Sequence, residues 1–416
     1  MTGRQRKGAA ASVLTAVALA ALVLWLGSRK APGGSIDAVG ATTDVAVQPI
    51  AGGADQAAAL QAALDSLQPG QRLVLAPGNY RVGNVLAIRG EQVVVSGYGA
   101  TLTATSPDAQ AVEITGRNAT LVGVTLVGTG TQRLESSTSA KVSVDGYGIQ
   151  VLDVTIRGGA SAGIFVSRGN SIALVGNKVN GTLADGIHIT GGSRDVLVQD
   201  NSVTATGDDM IGIVSYQRDG TINQNILISA NYLAGNAWGR GASIVGGTDV
   251  TLANNWIEGV QKAAAVLIAQ EDGYRTTGVT NVQVTDNMIS DIENATQPGN
   301  NRLAAGHAAI DINTGTGSVA RVLVAGNQVT RATYDGFRAV GNVCNVRVSR
   351  NRFVTIGGAA LSLQVRNCPT DAWTCDGNTL DGTGIALTGC NGTGAPQVSG
   401  ADRTRMPQVR TALRQQ

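Results

Sequence analysis

Short apolar runs rich in Val, Ile and Leu follow one another along this chain, each closed by a turn of Gly, Asn or Asp. The segments ALVGNKV, LVQDNSV, LISANYL, LANNWI, VTDNMI, VAGNQV, VSRNRF and CDGNTL all set an asparagine between a strand-like run and an apolar residue. These asparagines are Asn177, Asn201, Asn231, Asn255, Asn287, Asn327, Asn351 and Asn378, at intervals of 24, 30, 24, 32, 40, 24 and 27 residues. A base period of 24 is too short for most helical repeats and fits three short strands with three turns. The pattern predicts an all-β fold, a single-stranded right-handed parallel β-helix whose coils stack roughly 4.8 Å apart. Identical residues then form ladders, and each buried asparagine satisfies amides of the copies above and below it.

The segment QAAALQAALDSL, opened by Asp55, predicts a short amphipathic N-terminal capping helix over the open apolar end of the solenoid. RLVLAPGNYRV then begins the strands. Ahead of it, Arg4, Arg6 and Lys7 precede an uncharged run from Gly8 to Ser28. That run is long for a signal-peptide core and about long enough to span a bilayer, with the basic end cytoplasmic. Residues 1–30 are therefore expected to be an uncleaved signal anchor rather than a cleaved signal peptide. The remainder would be membrane-anchored outside the cytoplasm, or secreted. Residues 31–50 read as a linker and 51–392 as the β-helix domain. Residues 393–416, with Arg403, Arg405, Arg410 and Arg414, read as a basic tail, flexible or loosely docked. A capped solenoid of this kind is expected to be a monomer.

Composition removes several function classes. The formal net charge is +2, so a nucleic-acid surface is not indicated. Two histidines and four cysteines without a C-x-x-C pair give no zinc spacing, and no phosphate loop is present. Glycine is abundant, at 56 residues, as tight bends between strands require. Cys344 and Cys368 stand one 24-residue period apart, on neighbouring coils, and are expected to form a disulfide. Cys375 and Cys390 are expected to form a second, pinning the last coil.

The register aligns DGIHI, DMIGI and RGASI on successive coils. Ile187, Ile189, Ile211, Ile213, Ala242 and Ile244 point inward. Asp185, Asp209 and Arg240 share one column at the strand entry, with Asp208 beside Asp209. His188, Gly212 and Ser243 form the adjacent outward column, in which Gly212 leaves room. Carboxylates crowded in this way repel, so at least one keeps its proton to higher pH. Glycoside hydrolysis needs that division between an acid and a base.

Three motifs carry a resemblance. LADGIHIT, TGDDMIGIVS and WGRGASIVGG resemble the N-T-D-G, G-D-D and G-H-G motifs of the polygalacturonase family, glycoside hydrolase family 28. The helix followed by L-V-L-x-P-G-x-Y is similar to the start of many pectate-lyase-like β-helix proteins. The likeness to the hydrolase family covers roughly residues 180–290 in motif detail. It implies that Asp208 or Asp209 is the general acid. Asp185 and the other member of the pair would activate water, with inversion at the anomeric carbon. The departures are Leu183 and Ala184 for the asparagine and threonine, Arg240 for the histidine, and Leu267 and Ala269 for the arginine and lysine of an R-I-K motif. Losing those cations argues against polygalacturonate and for a differently decorated glycan, or for a site that no longer catalyses.

Along the same face, HAAIDI places Asp311 in the His188 column, and YDGFRAV places Asp335 in the Asp185 column and Arg338 in the His188 column. With Tyr334 they are expected to extend a sugar-binding groove, although Asp335 and Arg338 also read as a surface ion pair. Insertions at 214–225, 271–278 and 291–306 lengthen coils near the site. Trp238, Trp256 and Tyr274 are candidates for stacking on sugars, with Trp256 also placed to be core. The leading reading is an exported glycoside hydrolase with no cofactor. A polysaccharide lyase or uronate epimerase is the alternative, with Ca²⁺ held by Asp185, Asp208 and Asp209. The third reading is a non-catalytic glycan-binding scaffold.

Overall fold

A computed structural model describes residues 44–293 and 305–414 of the protein, apart from 388, 391 and 393–395. The expected anchor at 1–30 and most of the insertion at 291–306 lie outside the described residues. Among the described residues no helix is long and apolar enough to cross a membrane.

The chain winds through three parallel sheets in strict rotation. Sheet 1 has 13 strands, from Asp44–Val47 to Trp373–Asp376. Sheet 2 has 13, beginning at Gly78–Val82, and sheet 3 has 11, from Leu86–Ile88 to Leu361–Val365. Every inter-coil strand ladder among the described residues is parallel. The antiparallel exception joins Thr379–Leu380 to Thr383–Gly384 at the C-terminal end. The solenoid begins before the expected boundary, because Asp44–Val47 of the presumed linker pairs with Arg72–Leu75.

Inward Val, Ile and Leu from all three sheets form one continuous core, with Phe337, Phe353 and Trp373 towards the far end. The asparagine ladder is complete across the eight expected positions. Each Nδ2 donates to Oδ1 of the next asparagine at 2.8–3.0 Å, from Asn177 to Asn378. The same Oδ1 also accepts the backbone N–H of the preceding asparagine, as Asn255 does for Asn231 at 2.9 Å. No bend in the stack is left with buried amides unpaired along this column.

The helix Ala57–Ser66 closes the N-terminal end. Leu60 and Leu64 face the core, and Asp55 Oδ1 accepts from the Ala57 N–H at 2.7 Å. Gln61 docks the helix on the first sheet-3 strand through both the N–H and the C=O of Ala87. Cys344–Cys368 and Cys375–Cys390 are both bonded, the first between neighbouring coils.

The C-terminal segment differs from expectation. It is docked along the outside of sheet 1, running back from the coil of Arg321 to that of Thr120. Arg321 donates to Gln397 O, Asn225 Oδ1 accepts from the Asp402 N–H, and Arg405 pairs with Asp195 at 3.0 Å. Arg410 donates to Asn118 O, and Arg414 grips Asp153 with two nitrogens. Met406, Val409 and Leu413 cover an outward apolar patch of Val122, Leu152, Ala173, Val175, Leu197 and Leu227. The arginines alone read as a solvated tail. The apolar residues interleaved with them, and the outward apolar patch on sheet 1, are what hold it down.

Candidate active site

The paired registers put His188, Gly212 and Ser243 in one outward column of sheet 3, as the sequence frame requires. Asp185, Asp209 and Arg240 precede their strands by the same two residues, and the Gly186 N–H bonds to Asp209 O while the Met210 N–H bonds to Arg240 O. The three candidate carboxylates therefore come from two adjacent coils at the turn between sheets 2 and 3.

Two glycines make room for them. A Cβ on Gly212 would lie 3.4 Å from Asp185 Oδ2, 3.5 Å from Ser243 Oγ and 3.6 Å from His188 Nδ1. A Cβ on Gly239 would lie 2.2 Å from Asp209 Oδ1 and 2.4 Å from Asp208 Oδ1. The turn carrying Gly239 thus packs its backbone directly on the aspartate pair.

Each carboxylate has its own partners. Asp185 Oδ2 accepts from His188 Nδ1 at 2.5 Å, and Phe165 of the previous coil stacks on the imidazole at 5.4 Å between centroids. Asp208 Oδ2 accepts from Arg133 Nη1 at 2.8 Å. Asp209 accepts from Ser243 Oγ at 2.5 Å and from the Arg240 N–H at 2.7 Å, with the Arg240 guanidinium at 3.7 Å. Arg240 is held from its other side by Glu271 at 2.8 Å.

Burial raises the Asp208 carboxyl above the usual range, and the neighbouring Asp209 charge adds to it, while Arg133 opposes. Burial likewise pushes Asp209 up, against the pull of Arg240. The pair therefore retains a proton beyond the pH at which an ordinary aspartic acid loses it. Asp209 is almost fully covered, whereas Asp208 keeps 23% of its side chain exposed.

A cavity of about 750 Å³ opens beside this cluster. Its lining includes Asp185, His188, Phe165, Arg133 and Tyr216. The cavity extends towards the N-terminal coils, not towards the C-terminal ones as expected. On the C-terminal side Leu267 fills the outward column, and with Val245, Ala264 and Ala269 makes a small buried apolar cluster. Of the residues expected to line a groove there, Ser243 and Asp311 are covered. Ser243 is fully buried and serves Asp209. Asp311 is fully buried and pairs with Arg338 at 2.6 Å. Arg338 takes that partner in place of Asp335, which accepts the Ala359 N–H and shapes a turn. Tyr334 remains exposed, away from the cavity lining. Trp256 is half exposed, not core.

Two of the insertions do build the site. Segments 214–225 and 271–278 pair with each other through Tyr216 and Thr276, and the first delivers Tyr216, Arg218 and Asp219 to the cavity wall. Sequence reasoning missed Arg133, Phe165 and Glu271. The loop of Arg133, residues 128–140, is a polar insertion lacking the strand pattern around it, which was the available signal.

Each of the three carboxylates is already turned to a cation, an imidazole or a hydroxyl, and among the described residues no group of three acidic, His or Cys side chains converges as a metal site.

A family model described as a right-handed β-helix region matches residues 110–274. No curated protein matches the chain at a significant level. Solved structures do. The A-module of the Azotobacter vinelandii mannuronan C-5 epimerase AlgE6 is 16% identical, with TM-score 0.58 over 80% of this chain and 97% of that one. The catalytic domain of a GH87 α-1,3-glucanase in complex with tetrasaccharides is 14% identical, with TM-score 0.61 over 90% of this chain and 71% of that one. The Yersinia enterocolitica family 28 exopolygalacturonase is 15% identical, with TM-score 0.54 over 83% of this chain and 79% of that one. These three neighbours are carbohydrate-active proteins, and what the chain shares with them is the scaffold. The chain folds as a right-handed parallel β-helix, the architecture it shares with these structures.

Proposed function

We propose that this protein is a polysaccharide-cleaving glycoside hydrolase with Asp208 as general acid and Asp185 as general base. The observation that carries the reading is Asp185 on the wall of a glycan-sized cavity, with the Asp208–Asp209 pair on the adjacent coil, outside the lining but joined to it through Arg133, which lines the cavity and pairs with Asp208. Burial and the neighbouring Asp209 raise the Asp208 carboxyl, and of the two it is the one reachable from solvent. It would give that proton to the glycosidic oxygen as the bond to the anomeric carbon breaks. Asp185, oriented by His188, would take a proton from the water that attacks the same carbon. Asp209 would act as a positioning residue, keeping its neighbour protonated and anchoring the Gly239 turn. Arginines on the cavity wall would bind hydroxyl or carboxylate oxygens of the glycan, replacing the cations lost at Leu267 and Ala269. The two disulfides fit an oxidising compartment, which supports the reading that the β-helix is exported.

One observation favours a non-catalytic glycan binder as the second reading: Arg133 occupies Asp208. The soluble protein should be incubated with polygalacturonate, mannuronan, α-1,3-glucan and neutral envelope glycans, following reducing ends and unsaturated products. New reducing ends without ultraviolet absorbance, lost in Asp208→Asn and Asp185→Asn, support the hydrolase. Unsaturated products assign a lyase. Binding without turnover, unchanged in both variants, assigns the binder.

A further inference from the structure

The outer face of sheet 2 carries a feature that the carboxylate site does not use. Strands Tyr232–Ala234, Trp256–Glu258 and Met288–Ile292 are consecutive, and their register sets Tyr232, Trp256 and Met288 side by side. Their relative exposures are 39%, 49% and 50%, in a protein whose other large apolar side chains are mostly core. Burying such groups is the ordinary outcome, so a contiguous exposed row calls for a partner.

The two rings are fixed in place. Glu258 accepts from Tyr232 Oη at 2.6 Å and from Trp256 Nε1 at 3.0 Å, so one carboxylate fixes both polar rims. The rings meet edge to face, at 83° and 6.1 Å between centroids. The adjacent column runs Thr204, Ala234, Glu258, Ser290 and Thr330, so hydroxyl and carboxylate groups stand beside the apolar row, interrupted by Ala234.

We propose that Tyr232, Trp256 and Met288 form a second glycan-binding track, separate from the catalytic cavity, that holds an extended polysaccharide chain. Sugars present apolar C–H faces flanked by hydroxyl rims, which is the complement of a ring row beside a hydroxyl row. Three coils span about 10 Å along the solenoid axis. That patch is far short of the roughly 800 Å² per partner that a stable protein dimer buries, so a narrow polymer fits it better than a second protein. The track is also linked to the proposed active site through the chain. The strand of Tyr232 leads through Trp238 to Gly239, whose backbone packs on Asp208 and Asp209. The choice of a glycan as occupant rests on the polysaccharide reading of that site.

The test is binding of the same four polymers to the intact soluble protein, by affinity electrophoresis and tryptophan fluorescence, with Tyr232→Ala/Trp256→Ala and Trp256→Phe alongside. The expected result is about tenfold weaker retention of a long polymer in the double variant, with Trp256→Phe close to wild type. Oligosaccharide turnover or binding in the cavity should be unchanged. Retention abolished by Asp185→Asn but unaffected by the double variant overturns the track while leaving the cavity reading intact. Absence of retention for every polymer overturns it, as does a dimer in sedimentation that the double variant dissolves.

Discussion

Arg133 and Asp208 belong to coils separated by the strands Ile164–Ser167 and Ile187–Thr190, yet they form a 2.8 Å ion pair over the cavity. The guanidinium works against the burial that raises the Asp208 carboxyl. Arg133→Gln should therefore move the Asp208 carboxyl further up. Because a general acid works protonated, the alkaline limb of the pH–rate profile should shift to higher pH. An unmoved limb would remove Asp208 from the role of acid.

Gly212 and Gly239 separate space from packing. Gly212→Ala places a methyl in ordinary contact with Asp185, so the fold should be retained while turnover drops, by about tenfold or more. Gly239→Ala meets both aspartates below 2.5 Å and should lower both stability and activity. Thermal melts and turnover of the two variants, run together, distinguish the cases.

The asparagine ladder predicts a large cost at an interior rung. Asn255→Ala strands the backbone N–H of Asn231, takes one of three acceptors from its Nδ2, and removes the side-chain donor to Asn287. Leaving buried donors unpaired should cost about 2–4 kcal/mol, measured by denaturant unfolding. Asn180→Ala, at an exposed position, should cost less than about 1 kcal/mol.

Glu293 is 2% exposed, and burial pushes its carboxyl from 4.5 to about 7, against hydrogen bonds from the Gly306 and His307 N–H groups. A raised carboxyl favours the folded state while protonated. Its contribution is whole below about pH 4.5 and is lost as pH rises to about 7. Glu293→Gln should flatten that part of the stability profile, worth at most about 3 kcal/mol. A profile unchanged by the substitution would refute the assignment.

Repeat spacing made the solenoid, the ladder, the disulfide pairs and the aspartate column legible before any coordinates, because a parallel coil turns sequence period directly into spatial neighbours. His188, Gly212 and Ser243 fell where the register put them for that reason. What the period cannot report is reach across coils. Arg133 comes from an aperiodic loop, and Glu271 from an insertion, so neither had a column. Accessibility was equally hidden. Ser243 and Asp311 stand in an outward column, but Leu267 between them and the loops above close that face. Alternation distinguishes inward from outward, and outward is not the same as exposed when insertions fold back.

In a stacked solenoid each coil ordinarily depends only on its neighbours, so unfolding can start at an end and travel inward one repeat at a time. Residues 396–414 change that arrangement. By joining the coil of Arg321 to those of Asp195, Asp153 and Thr120, they place the intervening repeats in a closed mechanical circuit. Fraying that frees this segment then costs contacts as far back as the coil of Thr120, and the protein gains through its last residues a cooperativity that its nearest-neighbour architecture does not supply.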